Sequence, residues 1–463
     1  MGNKIAASFR DPSGVVYSHN GKLLRQINKV YQQDYDLLLS SGLYDRLSKK
    51  KLLVSHEESQ EPPLLPELAY KIIQPEKIDF ISYPYEWSFS QLKDAALLTL
   101  NIEKEALNSG LSLKDASAYN IQFHHGAPIL IDTLSFCQYQ EGQPWVAYKQ
   151  FCQHFLAPLA LMSKTDLQLS KLLIHYIDGI PLALCSKLLP GSTRLSFGLT
   201  SHIHLHAQAE NRYAATGDDA GRNLSEKKPQ VSKIGLLGIL DSLEKTVRSL
   251  NIQAAGKEWA NYYSNTNYTD DSFKSKKQIV KEWSQALKPK KVMDLGANTG
   301  VFSREAAWSP DCLVISSDID PEAVEANYLQ IKVDAQKNVL PLVIDLTNPS
   351  PAIGWDNQER ESFYQRGQCD LVLALALIHH LAIANNVPLL DIAHTFSELG
   401  TYLLLEFVPK EDSQVKRLLR SRDDIFSDYS LEGILNAFSA FYQLEKQTPV
   451  PGSARTMLLF KRK

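Results

Sequence analysis

A glycine-bearing stretch in the second half of the chain has the residue types of a ligand-binding loop. It is Lys291-Val-Met-Asp-Leu-Gly-Ala-Asn-Thr-Gly300, in which an apolar run leads to Asp294 and then to a loop between Gly296 and Gly300. Glycines let the backbone turn sharply and let a ligand approach closely. The helix predicted after Gly300 offers N–H groups and a partial positive charge to an anionic group. Asp294 suits an ammonium group, so the stretch predicts a ligand that carries both charges.

Acidic residues also follow the next two predicted strands. The run Cys312–Ser317 ends at Asp318, and the run Leu340–Leu346 contains Asp345 near its end. In doubly wound folds a carboxylate at the end of the second strand, about 20 residues beyond the glycine loop, usually binds ribose hydroxyls. The spacing therefore predicts that Asp318 binds a ribose and that Asp345 lies at the edge of an adenine.

Two further strands and a terminal hairpin complete this half of the sequence. Asp370–Leu377 is apolar on both faces, as a central parallel strand should be, and it leads into His379 and His380. Tyr402–Phe407 is a fifth strand. The predicted hairpin comprises Phe441–Leu444 and Thr456–Phe460.

Five strand–helix units closed by an antiparallel hairpin resemble the class I S-adenosylmethionine-dependent methyltransferases, over residues 255–463. The resemblance implies an α/β fold with a seven-stranded, Rossmann-like, mostly parallel sheet. It also implies S-adenosylmethionine as cofactor. The glycine spacing G-x-x-x-G counts against a dinucleotide site, which typically has G-x-G-x-x-G. A dinucleotide-binding domain and a non-catalytic α/β domain are the alternatives.

The methyltransferase resemblance assigns roles to particular residues. His379 and His380 are the candidate bases for a hydroxyl acceptor, because imidazole titrates near neutral pH, and Glu406 is the alternative. Tyr262, Tyr263 and Tyr268 are candidates for a lid over the cofactor. The expected cofactor-binding residues are Asp294, Gly296, Ala297, Asn298, Gly300, Asp318, Ile319, Asp345, Leu346 and Tyr268.

Two segments point to a narrower group. Asp345–Trp355 and Leu373–Ala382 are similar to bacterial methyltransferases of the NoeA-like nodulation protein family. This similarity implies a small-molecule or saccharide hydroxyl as the acceptor. The other hypotheses are a bifunctional phosphotransferase–methyltransferase and a non-catalytic scaffold that binds the cofactor.

The first half of the sequence contains a second constellation. Asp115, Asn120 and Asp132 follow one another in a loop–strand–turn–strand pattern that resembles the catalytic and metal-binding loops of kinase-like phosphotransferases. By that resemblance Asp115 would orient an acceptor, while Asn120 and Asp132 would hold Mg²⁺ with ATP. No glycine-rich phosphate loop is evident, and only Lys22 or Arg25 could replace the usual lysine. The alternative is that these residues form turns before a hairpin.

Composition limits the class of protein. The 463 residues suggest more than one domain, which we place at 1–207 (α+β, substrate recognition), 208–254 (linker and amphipathic helix) and 255–463. A net charge of −3 gives no support for a nucleic-acid partner. Five scattered cysteines and no membrane-length apolar run favour a cytoplasmic protein. The oligomeric state cannot be predicted from the sequence.

Three alternating histidines were weighed as a metal site. His202, His204 and His206 would share one face of a strand, and His202 and His206 would share one face of a helix. We expect instead that they are packed or solvated, because no carboxylate or thiol lies at ligand spacing.

Overall fold

The structure, a computed structural model, describes residues 2–209, 230–252, 270–420 and 422–463. Its chain divides into two units. The first comprises Met1–Gln253 and Ala352–Glu361, and the second comprises Ala254–Pro351 and Ser362–Lys463. A short segment from the second half of the sequence therefore packs within the first unit. The domain limits inferred from the sequence remain a prediction, because part of the expected linker lies outside the described residues.

An antiparallel sheet begins the first unit, with the spatial order β1-β2-β3-β5-β4. Its strands are β1 Asn3–Lys4, β2 Gly14–His19, β3 Lys22–Asn28, β4 His56–Glu58 and β5 Ala69–Pro75. Side chains alternate across a sheet, so Leu24 and Ile27 lie on opposite faces. Leu24 packs with Tyr17 on one face, and Ile27 packs with Ile73 on the other. Both faces of this sheet are consequently covered by side chains.

Helices make up most of the rest of the first unit. They are α1 Gln32–Ser40, α2 Leu43–Lys49, α3 Phe89–Asn108, α4 Tyr148–Phe151, α5 Ala157–Lys164, α6 Leu172–His175, α7 Leu182–Leu188, α8 Phe197–Leu199 and α9 Lys233–Ser249. The long helix α3 begins with a capping box, in which the Ser88 N–H donates to the Gln91 side chain over 2.9 Å. The amphipathic helix that the sequence predicts within residues 208–254 is present as α9.

Four short strands follow α3 and carry the second constellation. β6 Leu111–Leu113 pairs with β9 Phe136–Gln138, and β7 Ile121–His124 pairs with β8 Ala127–Leu130. Glu103 of α3 is fully buried and accepts the Ser112 hydroxyl at 2.7 Å and the Leu113 N–H at 2.6 Å. This carboxyl therefore fixes β6 against α3. The kinase-like interpretation of this region stays a prediction.

A seven-stranded sheet forms the second unit. Its strands are β10 Lys291–Leu295, β11 Leu313–Asp318, β12 Val339–Val343, β13 Cys369–Ala374, β14 Gly400–Phe407, β15 Tyr442–Pro449 and β16 Thr456–Arg462. The spatial order is β12-β11-β10-β13-β14-β16-β15, with the first five strands parallel and the last two antiparallel to their neighbours. The predicted mostly parallel sheet with an antiparallel terminal hairpin is confirmed. The fold is methyltransferase-like.

One helix precedes the strands of the second unit, and the other helices lie between or after them. They are α10 Asp270–Leu287, α11 Val301–Ala306, α12 Pro321–Val333, α13 Phe363–Arg366, α14 Leu389–Leu399, α15 Ser413–Leu419 and α16 Leu431–Phe438. Val280 and Trp283 of α10 pack with Val292 and Leu373 of the sheet in one buried cluster. No helix in the described ranges is long and apolar enough to cross a membrane.

One local expectation differs from the structure. The third strand ends at Val343, before Asp345, because Asp345 forms a turn with Thr347 instead of continuing the strand. Of the two backbone alternatives for the alternating histidines, the structure has a helical one, because Thr200–His204 is a π-helical turn.

Candidate active site

The glycine loop after β10 turns through three left-handed residues. Gly296 has φ +73°, Asn298 has φ +51° and Gly300 has φ +72°. A Cβ atom built on Gly300 would lie 2.2 Å from Oδ1 and 2.4 Å from Cγ of Asn327. Both the backbone angle and the space therefore require glycine at position 300. Helix α11 begins immediately afterwards, at Val301.

Hydrogen bonds fasten this loop to the end of β11. The N–H groups of Gly296 and Ala297 both donate to the Ser317 carbonyl at 2.9 Å. The Asn298 N–H donates to Asp318 Oδ2 at 2.7 Å, and the Asp320 N–H donates to Oδ1 at 2.9 Å. Burial raises the pKa of the Asp318 carboxyl, while these two N–H groups oppose the rise. Each carboxylate oxygen retains a lone pair that a ligand hydroxyl can use.

Asp294 is buried at the end of β10 and belongs to a chain of polar side chains. The Ser303 hydroxyl donates to its Oδ2 at 2.6 Å, and Ser303 also contacts the Ser316 hydroxyl at 2.7 Å. Asn327 donates to Ser316 at 2.8 Å. Burial raises the pKa of Asp294 to about 6. The chain joins β10, α11, β11 and α12 behind the loop, so Asp294 stabilises the loop from inside.

The remaining expected cofactor residues lie around the same strand ends. Ile319 follows Asp318, and its side chain is exposed. Asp345 accepts the N–H of Thr347 at 2.9 Å and its hydroxyl at 2.6 Å, and the Leu346 carbonyl accepts the Tyr364 hydroxyl at 3.3 Å. The proposed lid residues Tyr262, Tyr263 and Tyr268 lie outside the described residues.

His379 and His380 follow β13 and differ in their surroundings. Ala376 just before them has φ +52°, a left-handed turn between the strand and the helical residues. The two rings have their centroids 4.3 Å apart. His379 is buried, and its Nδ1 has no hydrogen-bond partner among the described residues, whereas His380 is exposed. Burial, reinforced by His380 and Arg455, lowers the pKa of His379 to about 3, so its ring is neutral.

Glu406, at the end of β14, lies between two cations. The Lys276 Nζ is 2.6 Å from its Oε2, and the Arg455 guanidinium is 3.3 Å from its Oε1. Arg455 also contacts Asp412 at 2.8 Å. The side-chain exposure of Lys276 is 2% and that of Glu406 is 0%. Glu406 is thus a buried anion already engaged by two cations, which reduces its capacity to accept a proton from a substrate.

Sequence reasoning missed Lys276, although the sequence contains a signal for it. Lys276 lies four residues before Val280 and seven before Trp283, so it falls on the apolar face of α10. A charged residue on such a face is rarely buried unless it is paired. Its Nζ also lies 4.1 Å from the centre of the Phe302 ring. Burial lowers the pKa of Lys276, and the Glu406 carboxylate opposes that change.

The first unit brings Asp115, Asn120 and Asp132 together. Burial raises the pKa of Asp115, Asp132 raises it further, and a hydrogen bond with the Asn120 side chain opposes the rise. Arg25 of β3 forms an ion pair with Asp132 Oδ1 at 2.6 Å. The guanidinium therefore engages an oxygen that a metal ion would need, so the residues as arranged do not fit bound Mg²⁺. Mg-ATP is not supported by this geometry.

The alternating histidines serve the packing of the first unit. His202 contacts the Tyr148 hydroxyl at 2.7 Å and the Ser242 hydroxyl at 2.9 Å. His204 contacts the Ser186 hydroxyl at 2.8 Å and the Thr193 hydroxyl at 2.9 Å. Both ring nitrogens of each residue are engaged by hydroxyl groups, as expected for packed histidines.

Comparison with known proteins gives one relative of full length. No protein-family model matches the chain. The chain is 37% identical to the nodulation protein NoeA of Rhizobium meliloti (strain 1021) over 466 aligned residues. The alignment covers 99% of this chain and 96% of NoeA.

Three solved structures with some similarity each cover 42% of this chain. The N-methyltransferase NodS from Bradyrhizobium japonicum WM9 is 9% identical, with a TM-score of 0.31, over 42% of this chain and 97% of that one. The bifunctional kinase-methyltransferase WbdD is 17% identical, with a TM-score of 0.29, over 42% of this chain and 40% of WbdD. A SAM dependent methyltransferase from Aquifex aeolicus is 16% identical, with a TM-score of 0.29, over 42% of this chain and 100% of the Aquifex chain. Scores this low support no conclusion about function.

Proposed function

The chain belongs to the family of the nodulation protein NoeA, and from that premise we propose that it is an S-adenosylmethionine-dependent methyltransferase. The observation that carries the proposal is the seven-stranded sheet with a glycine loop after its first strand, hydrogen-bonded to an acid at the end of the second. In open α/β sheets, ligands bind outside the carboxyl ends of the strands at the point where the strand order reverses. Here that point lies between β10 and β13, which are neighbours in the sheet.

The residues around the loop suit S-adenosylmethionine. Asp318 is positioned by the N–H groups of Asn298 and Asp320 and retains lone pairs for ribose hydroxyls. Gly296 and Gly300 allow a close approach of the ligand to the backbone. The exposed Ile319 side chain offers an apolar surface beside Asp318 for the adenine.

We propose that the acceptor atom is a hydroxyl oxygen. When bound, S-adenosylmethionine supplies an electrophilic methyl group on a sulfonium. A hydroxyl is a weak nucleophile: its oxygen would gain the methyl group as the methyl–sulfur bond breaks and S-adenosylhomocysteine leaves, and only at that stage does the hydroxyl proton become strongly acidic. The neutral His379 ring, whose Nδ1 has no hydrogen-bond partner in the described part of the chain, would accept a hydrogen bond from that hydroxyl and take the proton at this stage, despite its low pKa. The more exposed His380 would then form part of the surface that contacts the methyl acceptor.

The charged side chains that influence His379 are those of Lys276, Glu406 and Arg455. Both cations disfavour protonation of His379, while Glu406 favours it. We propose that Glu406 is an anchor for the two cations rather than the base itself. Burial and the two cations then keep the ring neutral, which is the form that can accept a proton.

The class of acceptor rests on the family. Because the full-length relative is a nodulation protein, we propose a small-molecule or saccharide hydroxyl as substrate. A neutral histidine that can act as a base supports a hydroxyl over a neutral amine, because the amine is a strong enough nucleophile to attack without a base.

The test is a methyl-transfer assay with a panel of oligosaccharides and small hydroxyl compounds, read by mass spectrometry as the gain of one methyl group. His379→Asn should lower kcat by roughly 10²-fold or more while leaving the affinity for S-adenosylhomocysteine unchanged. His380→Asn, the matched control, should lower it less. Full activity of His379→Asn would refute the role of this residue, and no calorimetric binding of S-adenosylhomocysteine would refute the proposed function.

The alternatives predict different results. A bifunctional phosphotransferase would bind Mg-ATP and lose that binding in Asp132→Ala. The Arg25–Asp132 ion pair does not favour this alternative. A non-catalytic scaffold would bind S-adenosylhomocysteine tightly and methylate none of the acceptors.

A further inference from the structure

Two histidines and a glutamate of the first unit lie together outside the regions described above. Glu76 follows β5 directly, and His124 and His125 lie at the turn between β7 and β8. One potential ligand atom from each of the three residues lies within 4.8 Å of the other two. Glu76 and His125 are exposed, and His124 is half-buried, so the group can be reached from water.

The backbone of the turn is what brings the two imidazoles together. Consecutive side chains of a strand normally point to opposite faces. Here His125 has φ +51° and Gly126 has φ +76°, and the His124 and His125 rings have their centroids 3.9 Å apart. A left-handed backbone is unfavourable for a residue that has a Cβ atom. The turn therefore maintains an unfavourable backbone that places both rings beside Glu76.

The carboxylate is held in place from its other side. The Ser55 hydroxyl donates to Glu76 Oε2 at 2.8 Å, and the His124 Nε2 lies 3.1 Å from Oε1. The Glu76 N–H also donates to the Ser55 carbonyl at 2.8 Å. The Ser55 hydroxyl and the two histidines lower the pKa of Glu76, so the carboxylate is ionised at neutral pH. Such support is what orients a carboxylate ligand in metal sites.

We propose that Glu76, His124 and His125 form a binding site for a divalent transition-metal ion of the Zn²⁺ type. Two imidazole nitrogens and one carboxylate oxygen are a common ligand set for zinc. Ligand atoms about 2.0–2.1 Å from a tetrahedral ion lie about 3.3 Å from one another, so small side-chain rotations suffice. The fourth position stays open to water. The site is independent of the proposed methyl transfer.

The contrast with the other polar clusters of this unit supports the choice. His202 and His204 have both ring nitrogens engaged by hydroxyl groups. Asp132 already binds Arg25. At Glu76 the carboxylate faces imidazoles, which bind a metal in their neutral form.

The test is calorimetric titration of the chelator-treated full-length protein with zinc chloride. One equivalent should bind to the wild type. Glu76→Gln keeps an acceptor for Ser55, and His125→Asn suits the left-handed backbone that asparagine tolerates. Each variant should weaken binding by at least about tenfold, as should His124→Asn. His19→Ala is the matched control, because His19 lies 3.7 Å from Glu61, a carboxylate that already pairs with Lys22, and it should leave the affinity unchanged.

A second measurement separates this site from binding elsewhere. Cobalt substitution should give the intense visible absorption of a four- or five-coordinate ion, and it should be lost in His125→Asn. Unchanged zinc affinity in the three site variants, or no saturable binding in the wild type, would overturn the proposal.

Discussion

The two units both gather charged side chains from distant parts of the sequence, but they bury them to different degrees. In the first unit, Arg25 and Asp132 form a pair in which each side chain is 14% exposed. In the second, Lys276 and Glu406 are 2% and 0% exposed, and Arg455 completes the group. Loops and short strands assemble the first cluster, whereas the end of a parallel strand and the helix before the sheet assemble the second.

This difference teaches how far each cluster depends on its pairing. A charge that is fully removed from water must be matched, because an unpaired buried charge is very unfavourable. A charge that keeps some contact with water is far less dependent on its partner. The buried cluster of the second unit should therefore tolerate substitution poorly, and the cluster of the first unit should tolerate it better.

Lys276→Met should have the largest effect on stability. It leaves Glu406 buried with one cation, which costs about 3–5 kcal/mol when a partner is removed from such a pair. Arg25→Met should cost about 1 kcal/mol, because its partner stays in contact with water. Urea unfolding followed by circular dichroism measures both. Adding Glu406→Gln to Lys276→Met should restore part of the loss, and equal losses in the two single variants would contradict the comparison.

Gly300→Ala should have the next largest effect. The new Cβ meets Asn327 and the backbone has φ +72°, so we expect a loss of about 2–4 kcal/mol in urea unfolding. Gly110 of the first unit is the matched control, because it has φ +76° but no atom of the described residues lies within 4 Å of a Cβ built there. Gly110→Ala should cost only about 1 kcal/mol. If both variants lost the same stability, the close approach to Asn327 would have no energetic importance.

Asp318→Ala tests whether the cofactor binds to the second unit and not to the first. It should reduce the affinity for S-adenosylhomocysteine by roughly 1–3 kcal/mol, the usual cost of leaving hydrogen-bonding groups unpaired. The equivalent change in the first unit, Asp132→Ala, should leave that affinity unchanged. Titration calorimetry measures both affinities. Equal effects of the two substitutions would argue against a site at Asp318.

Each unit contains a buried acid that should make the free energy of unfolding depend on pH, and the two acids should act over different pH intervals. Glu103 has its pKa raised from 4.5 to about 8, and Asp294 has its pKa raised from 3.8 to about 6, in both cases by burial. The folded protein keeps each proton to a higher pH than the unfolded chain does. The contribution of each carboxyl to the free energy of unfolding is therefore complete below its pKa in the unfolded chain. That contribution falls as pH rises to the pKa of the carboxyl in the folded protein, by up to about 1.4 kcal/mol per pH unit for each group.

Between pH 6 and pH 8 only Glu103 of this pair still contributes to the fall. Glu103→Gln should flatten the dependence of unfolding free energy on pH in that interval. Asp294→Asn should flatten it between about pH 4 and pH 6 instead. Urea unfolding at a series of pH values measures both slopes. An unchanged slope in Glu103→Gln would show that this carboxyl is ionised in the folded protein.

The second unit was largely predictable because its signals are local. The strand Lys291–Leu295, the left-handed glycines and the acid at Asp318 all lie where short-range patterns indicate them. The position of Asp345 beyond its strand was missed, because an Asp can form a turn with its own backbone neighbour and end the strand early. Lys276 was missed because its partners, Glu406 and Phe302, are distant in the sequence.

The first unit was harder to predict for the same physical reason. Its helix α9 follows from the spacing of apolar residues. The group formed by Glu76, His124 and His125 depends on a turn that brings residues 48 positions apart into contact. The sequence favours packed or solvated side chains over a metal site for His202, His204 and His206, but only the structure identifies the hydroxyl groups from other segments that engage His202 and His204.

The sequence by itself determined the order of strands and helices in the second unit, the glycine loop and the acid that follows it, because hydrophobic period and backbone preference act over a few residues. Only the tertiary structure decided which charges neutralise one another. Arg25 pairs with Asp132 and Lys276 pairs with Glu406 because the folded chain removes them from water together, and the energy of a charge depends on its whole surroundings.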